Sequence, residues 1–149
     1  MKNHFIHLFD YNDWANKAAA LSIKKTTNID DHAVSLFAHI INAQKLWLSR
    51  ALGQSHKINP WQSLSLDESI ILSAQSTKDW QGFLKDMTET DFDVKVNYTN
   101  SKGDQYSSTI KQILIQVINH ASYHRGQIAS IVRKSGGTPA LTDYIVFVK

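Results

Sequence analysis

The sequence contains no cysteine. That absence excludes disulfide bridges, cysteine-ligated zinc, iron–sulfur clusters and a cysteine nucleophile. Proline is scarce as well, and Pro60 and Pro139 both stand outside the segments with helical periodicity. No apolar run approaches the roughly 18 residues of a membrane-spanning helix, and the amino terminus lacks the apolar centre of a signal peptide. We therefore expect a soluble protein that resides in the cytoplasm and does not bind membranes.

The chain also lacks a large excess of charge of either sign. The chain has 16 Lys and Arg against 13 Asp and Glu, so its formal net charge is only +3, with both signs dispersed. This balance gives no support for nucleic-acid binding. A hydrophobic fraction of 42% excludes a disordered chain, and the length of 149 residues predicts a single domain over residues 1–149. What is abundant is histidine, with seven copies, and histidine is the commonest metal-ligating side chain.

Apolar residues at helical spacing predict four helices, over about residues 3–25, 31–53, 66–87 and 108–135. Ser65 and Glu68 have the spacing of a capping box at the start of the third helix. Residues 93–106 alternate in polarity around a turn and predict a short β-hairpin. The expected fold is therefore all-α, a four-helix bundle with a short β-hairpin between helices three and four. We expect the tail at 144–148 to lie in extended form over one end of the bundle.

Three histidines occupy apolar faces of these helices. His120 and His124 lie four residues apart on the fourth helix, so both imidazoles project from one face, one turn apart. His39 lies one turn from Leu36 and Ala43 on the inward face of the second helix. Three neutral imidazoles from two facing helices predict a His₃ metal site with a position left open for water or substrate.

The alternative is that these histidines are ordinary core residues with hydrogen-bonding partners. A lone buried histidine usually fits that description, but two unpaired imidazoles on one face would cost several kcal/mol in unmet hydrogen bonds. The remaining histidines are predicted to be solvated polar residues. They are His4, His7, His32 and His56. The pair is not the zincin motif, because Ala121 replaces the glutamate that would serve as general base.

Residues around the histidine pair give weaker indications. Asn119 and Gln127 are placed to fix imidazole tautomers. Gly126 indicates either a close approach of another group or a tolerated weak point in the helix. Asp13 and Asn16 on the first helix either contribute to the pocket or, as we expect, lie at the surface. Tyr123 and Arg125, one residue to either side of His124, are predicted to project away from the metal face.

Residues 117–128, VINHASYHRGQI, are similar to the signature helix of the DinB-like (damage-inducible) family. The ending of that family is resembled by Arg133, Gly136–Gly137, Pro139 and Asp143–Tyr144. Upstream, Ala38–Ile40 with Trp47, and Tyr11–Asn16, resemble its second-helix and first-helix motifs. The resemblance therefore covers nearly the whole chain, and the block with His120 and His124 is its most specific part.

This resemblance implies a bundle that holds one divalent metal ion through three histidines, which map onto His39, His120 and His124. Histidine suits Zn, Ni and Fe alike, so the resemblance leaves the metal open. It also implies a homodimer. Members of the family include bacillithiol-dependent S-transferases and the mycothiol-dependent maleylpyruvate isomerase, so a low-molecular-weight thiol is an expected substrate. Since the chain has no cysteine, that thiol has to arrive with the substrate.

Three functions stay open at this point. The first is a metal-dependent enzyme, a thiol-dependent S-transferase or a hydrolase, that acts on a small molecule; the catalytic residues are unknown, because the sequence identifies no general base. The second is a non-catalytic metal-binding or structural bundle that forms a homodimer. The third is a partner-binding module that uses Trp47, Trp61 or the tail around Phe147.

Overall fold

The computed structural model describes residues 1–149 and confirms a mostly helical fold with a small hairpin between the third and fourth long helices. The long helices are α1 (Lys2–Lys25), α2 (Asp31–Ala51), α3 (Leu66–Lys85) and α4 (Ile110–Lys134). Strands β1 (Lys95–Thr99) and β2 (Gln105–Thr109) pair antiparallel, with Tyr98 opposite Tyr106. A 3₁₀ helix at Glu89–Asp93 and a final turn, α5 (Tyr144–Phe147), complete the chain. None of the helices combines the length and the apolar character needed to cross a membrane.

Side-chain caps mark the start of three of the four long helices, α2, α3 and α4. The Asp30 carboxylate accepts a hydrogen bond from the backbone N–H of His32 at 2.9 Å. The capping box between Ser65 and Glu68 is present at α3, as predicted. A second capping box, between Thr109 and Gln112, begins α4 at Ile110 instead of the predicted residue 108. The difference arises because residues 107–109 still pair with β1.

The tail prediction was wrong. Residues 144–147 form one helical turn instead of an extended segment, with backbone hydrogen bonds that return to Asp143 and Tyr144. The turn places the rings of Tyr144 and Phe147, three residues apart, against the ring of Tyr11 on α1. The Tyr11 hydroxyl also donates a hydrogen bond to the carbonyl of Thr142 at 2.8 Å. These contacts fasten the end of the chain to α1.

Consecutive helices are not all neighbours in the bundle. Helix α1 packs mainly against α3 and α4, and α2 packs mainly against α4 and α3. The pairs α1/α2 and α3/α4 therefore lie on the two diagonals, and the long connection with the hairpin joins the diagonal pair α3 and α4. This arrangement brings the inward faces of α2 and α4 together.

The buried apolar residues form two separate clusters. One contains Phe9, Trp80 and Val117, and the other contains Phe37, Ile40 and Ile128. Polar side chains are also buried along the middle of all four long helices. We call this set the polar layer, and it comprises Asn12, Asn16, His39, Asn42, Gln44, Ser73, Ser76, His124 and Arg125. The layer includes two of the candidate ligands, His39 on α2 and His124 on α4.

Two glycines provide a matched stability test. A Cβ at Gly126 would meet no atom within 4 Å, whereas a Cβ at Gly137 would lie within 3 Å of the Thr26 side chain. We expect Gly126→Ala to stabilise the fold by about 0.5–1 kcal/mol, because alanine is a better helix former. We expect Gly137→Ala to destabilise it by about 1–3 kcal/mol through overpacking. Urea denaturation followed by circular dichroism measures both, and equal shifts in one direction would contradict the prediction.

Candidate metal centre

The three histidines predicted from the sequence come together between α2 and α4. His39 projects from α2, His120 and His124 project from α4, and one ligating nitrogen of each lies within 4.8 Å of the other two. His39 Nε2 and His120 Nε2 are 3.1 Å apart. His39 and His124 are buried and His120 is half-buried. Residues 81 positions apart in the chain thus form one compact group.

The orientation of His39 is determined by a main-chain carbonyl. Its Nδ1 donates a hydrogen bond to the Pro60 carbonyl at 2.8 Å. A carbonyl oxygen only accepts, so in the neutral ring the proton resides on Nδ1 and the lone pair on Nε2. The Nε2 atom that faces His120 is therefore the free ligating atom.

Gln127 plays the corresponding part for His124. Its Oε1 accepts a hydrogen bond from His124 Nδ1 at 2.6 Å, one turn along the same helix. This contact agrees with the prediction that Gln127 fixes a tautomer. The parallel expectation for Asn119 is wrong, because that side chain is exposed and has no such hydrogen bond. Two of the three rings therefore keep their Nε2 atoms available.

The loop between α2 and α3 covers one side of the cluster. The ring of Trp61 is stacked on His39, with centroids 3.6 Å apart and planes within 6° of parallel, and it meets His124 edge-on. Asn42 Nδ2 donates to the Gln62 carbonyl at 2.9 Å and holds the same loop against α2. Trp61 is nevertheless 55% exposed, so it forms a flat aromatic wall between the histidines and solvent.

The environment favours the neutral forms of His39 and His120. Burial lowers the pKa of His120 to about 4, and the neighbouring His124 and His39 add to that effect. Burial also lowers the pKa of His39, although its hydrogen bond to Pro60 opposes the change. No Asp or Glu joins the group of candidate ligands. Near neutral pH, His39 and His120 therefore offer lone pairs without a proton to displace.

The donor set suits a divalent transition metal. Two nitrogens that each lie 2.0–2.1 Å from one tetrahedral zinc ion are about 3.3–3.4 Å apart, close to the 3.1 Å between His39 Nε2 and His120 Nε2. Imidazole nitrogen binds Zn, Ni and Fe, so the donors do not select among them. Three neutral ligands leave the charge of the ion uncompensated, which favours an anionic fourth ligand. The three histidines are thus close enough together to hold a metal ion.

Arg125, next to His124, has a structural role that the sequence analysis missed. It projects away from the histidines, as predicted, but it is buried, with 3% exposure, between α4 and α1. Its guanidinium donates to Asn12 Oδ1 and Asn16 Oδ1, both at 2.7 Å. It also donates to Ser122 Oγ at 3.0 Å and to the Tyr11 hydroxyl at 3.5 Å. All four partners are uncharged, and burial lowers the pKa of this guanidinium.

Asn16 was predicted to be exposed and is 1% exposed, whereas Asp13 is only half-buried. The helical spacing of Arg125 and Asn16 from buried apolar residues indicated that both side chains are buried. Arg125 lies four residues after the buried Ala121 and three before the buried Ile128, and Asn16 lies seven before the buried Ile23. The stripes of α4 and α1 therefore include these polar residues. The polarity of a side chain does not predict its exposure where polar residues on two packed helices hydrogen-bond to each other.

The structure also shows where the remaining candidates from the sequence analysis lie. Gly126 approaches no other group, so the interpretation as a tolerated weak point holds. Tyr123 is exposed, as predicted, and its ring meets His124 edge-on. The four remaining histidines are exposed, as predicted. They are His4, His7, His32 and His56.

Comparisons with known proteins agree with this fold. The family model described as DinB family matches residues 1–149. The chain is 22% identical over 166 residues to the protein DinB of Bacillus subtilis (strain 168), which covers 99% of this chain and 95% of that protein. A DinB-like protein from Bacillus cereus shares the fold with a TM-score of 0.70 at 18% identity, over 92% of this chain and 94% of that one. A DinB-like protein from Bacillus subtilis shares the fold with a TM-score of 0.65 at 19% identity, over 93% of this chain and 95% of that one. The chain belongs to the DinB family.

Proposed function

We propose that His39, His120 and His124 hold one divalent metal ion, and that the protein uses it as an enzyme, either a thiol-dependent S-transferase or a hydrolase. The observation that carries the proposal is the convergence of the three rings while His39 Nδ1 and His124 Nδ1 are engaged elsewhere. Histidines that served only as hydrogen-bonding core residues would not need to direct three nitrogens into one space.

The residues around the cluster support a reactive site. A bound divalent ion supplies a positive charge that lowers the pKa of a coordinated thiol or water. The Pro60 carbonyl and Gln127 orient two of the ligands, and Trp61 shields one side from water. No carboxylate or free histidine touches the cluster in the position of a general base, so a thiol that loses its proton on coordination suits this site.

A non-catalytic role is the second candidate, and one observation favours it. The histidines join α2 to α4, the neighbouring helices that carry one of the main contacts of the bundle. An ion held there would cross-link the two helices and stabilise the fold. The homodimer that the resemblance implies, and the cytoplasmic location, stay predictions; sedimentation velocity over a range of concentrations measures the first.

Metal content tests the site. Protein purified without chelator should carry about one divalent ion per chain, and re-addition of Zn²⁺ or Ni²⁺ to metal-free protein should stabilise it, by about 2.7 kcal/mol at a free concentration 100-fold above the dissociation constant. His124→Ala should lose the ion because it removes a ligand. His32→Ala, at an exposed histidine on α2, is the matched control. Elemental analysis and thermal denaturation measure both effects, and a wild type that neither holds metal nor gains stability would refute the site.

Acid should destabilise the metal-free protein through His120. Its pKa of about 4 in the fold lies below the 6.5 of the free side chain, so the unfolded chain binds more protons between these values. The free energy of unfolding should therefore fall as the pH decreases from 6.5 to 4. His120→Gln should flatten this dependence, whereas His32→Gln should keep it. Urea denaturation in chelator over this pH range is the measurement, and equal slopes for all three proteins would contradict the expected role of His120.

Catalysis is tested with thiols and an electrophile. Metal-loaded protein should accelerate the conjugation of a low-molecular-weight thiol to monochlorobimane, and chelation or His124→Ala should abolish the acceleration. A panel of thiols, assayed by fluorescence, identifies the preferred one, and ester substrates test the hydrolase. If the protein binds metal but turns over none of these compounds, the non-catalytic role is the better description.

A further inference from the structure

A cavity that is distinct from the histidine cluster lies against the loop between α2 and α3. It has a volume of about 940 Å³ and lies between the end of α2, the loop from Gly53 to Pro60, and the hairpin residues 97–101. Cavities of roughly 300–1,000 Å³ accommodate small-molecule ligands. Pro60 belongs both to its wall and, through its carbonyl, to the support of His39. The cavity and the histidine cluster are therefore separate spaces divided by one segment of chain.

The charged side chains that line the cavity are all positive. Of the 16 residues that line the cavity, two are positively charged, namely Arg50 and Lys57, and none is Asp or Glu. The chain as a whole is nearly balanced, with 16 basic and 13 acidic residues, so the lining departs from its average. Positive groups that share a concave wall raise the local concentration of anions.

Arg50 is held in place before any ligand arrives. Its guanidinium lies 4.6 Å from the centroid of Trp47 and 4.7 Å from that of Tyr98, so aromatic rings support it from two sides. It donates one hydrogen bond, at 3.3 Å, to the Thr99 carbonyl. No carboxylate forms an ion pair with it, so most of its five N–H donors lack a protein acceptor. A guanidinium that is positioned but unpaired suits a carboxylate or a phosphate.

The rest of the lining is rich in hydrogen-bonding groups. Amides and hydroxyls come from Gln54, Ser55, Asn97 and Asn100, among others. Ser49, also in the wall, has a buried hydroxyl without a hydrogen-bonding partner. Only 3 of the 16 lining residues are hydrophobic. A ligand with a polar body therefore fits better than a flat apolar one.

We propose that this cavity binds a polar small-molecule anion, whose carboxylate or phosphate group pairs with Arg50 and Lys57. The site goes beyond the proposed metal function and requires no metal. An anion bound against the Gly53–Pro60 loop would contact the same segment of chain whose Pro60 carbonyl orients His39. The anion would occupy a space that none of the three histidines lines.

An NMR titration of metal-free protein tests this proposal. Glucose 6-phosphate and gluconate are the phosphate and carboxylate probes, and glucose is the neutral control. We expect saturable shifts of amides in residues 46–60 and 97–101 with at least one anion and none with glucose; the anion that binds identifies the preferred group. Arg50→Gln should weaken binding about tenfold or more, since it removes a charge-assisted hydrogen bond.

Two further variants separate the cavity from general charge. Lys45→Gln removes the same charge from an exposed position on α2 outside the cavity, and it should change the affinity less than twofold. Lys57→Gln leaves the Arg50 stack intact, and it should weaken binding about threefold or more, even if Arg50→Gln fails to fold. The proposal is overturned if neither anion gives saturable shifts, if glucose binds as well, or if Lys57→Gln matches Lys45→Gln. Because the protein is metal-free, these outcomes are independent of the metal site.

Discussion

The burial of one guanidinium between α1 and α4 constrains the rest of the bundle. Arg125 makes four hydrogen bonds, all to neutral side chains, and no carboxylate balances its charge. A buried charge is tolerated only where such bonds are well made, so α4 has little freedom to rotate or slide against α1. His124 is the preceding residue on the helix, about 100° around its axis. Once Arg125 faces α1, His124 has to face α2 and His39.

The same interaction extends beyond the two helices. Asn12, which accepts from Arg125, donates through Nδ2 to Gln44 on α2 at 2.7 Å. Tyr11, a second partner, donates to Thr142 and so connects the network to the end of the chain. These hydrogen bonds join α1, α2, α4 and the end of the chain in one network. Apolar burial stabilises the bundle, and this network constrains how its helices are oriented.

The sequence predicted what depends on local pattern. Helical spacing located four helices to within a few residues, the Ser65–Glu68 box marked the start of α3, and three inward histidines were selected from seven. Helical spacing also indicated that Arg125 and Asn16 are buried, but the partner that each requires lies on the other helix. Such a pairing between distant residues cannot be read from a local pattern. The covering position of Trp61 depends on bonds between its loop and α2, which no periodicity records.

The hydrogen bond from His39 to Pro60 has an evolutionary consequence. Its acceptor is a main-chain carbonyl, which every amino acid possesses, so the bond depends on the path of the chain and not on a particular side chain. A histidine oriented by a carboxylate side chain would lose its partner when one codon changes. The bond from His39 instead survives exchange of the side chain at its acceptor position, as long as the path of the main chain is kept.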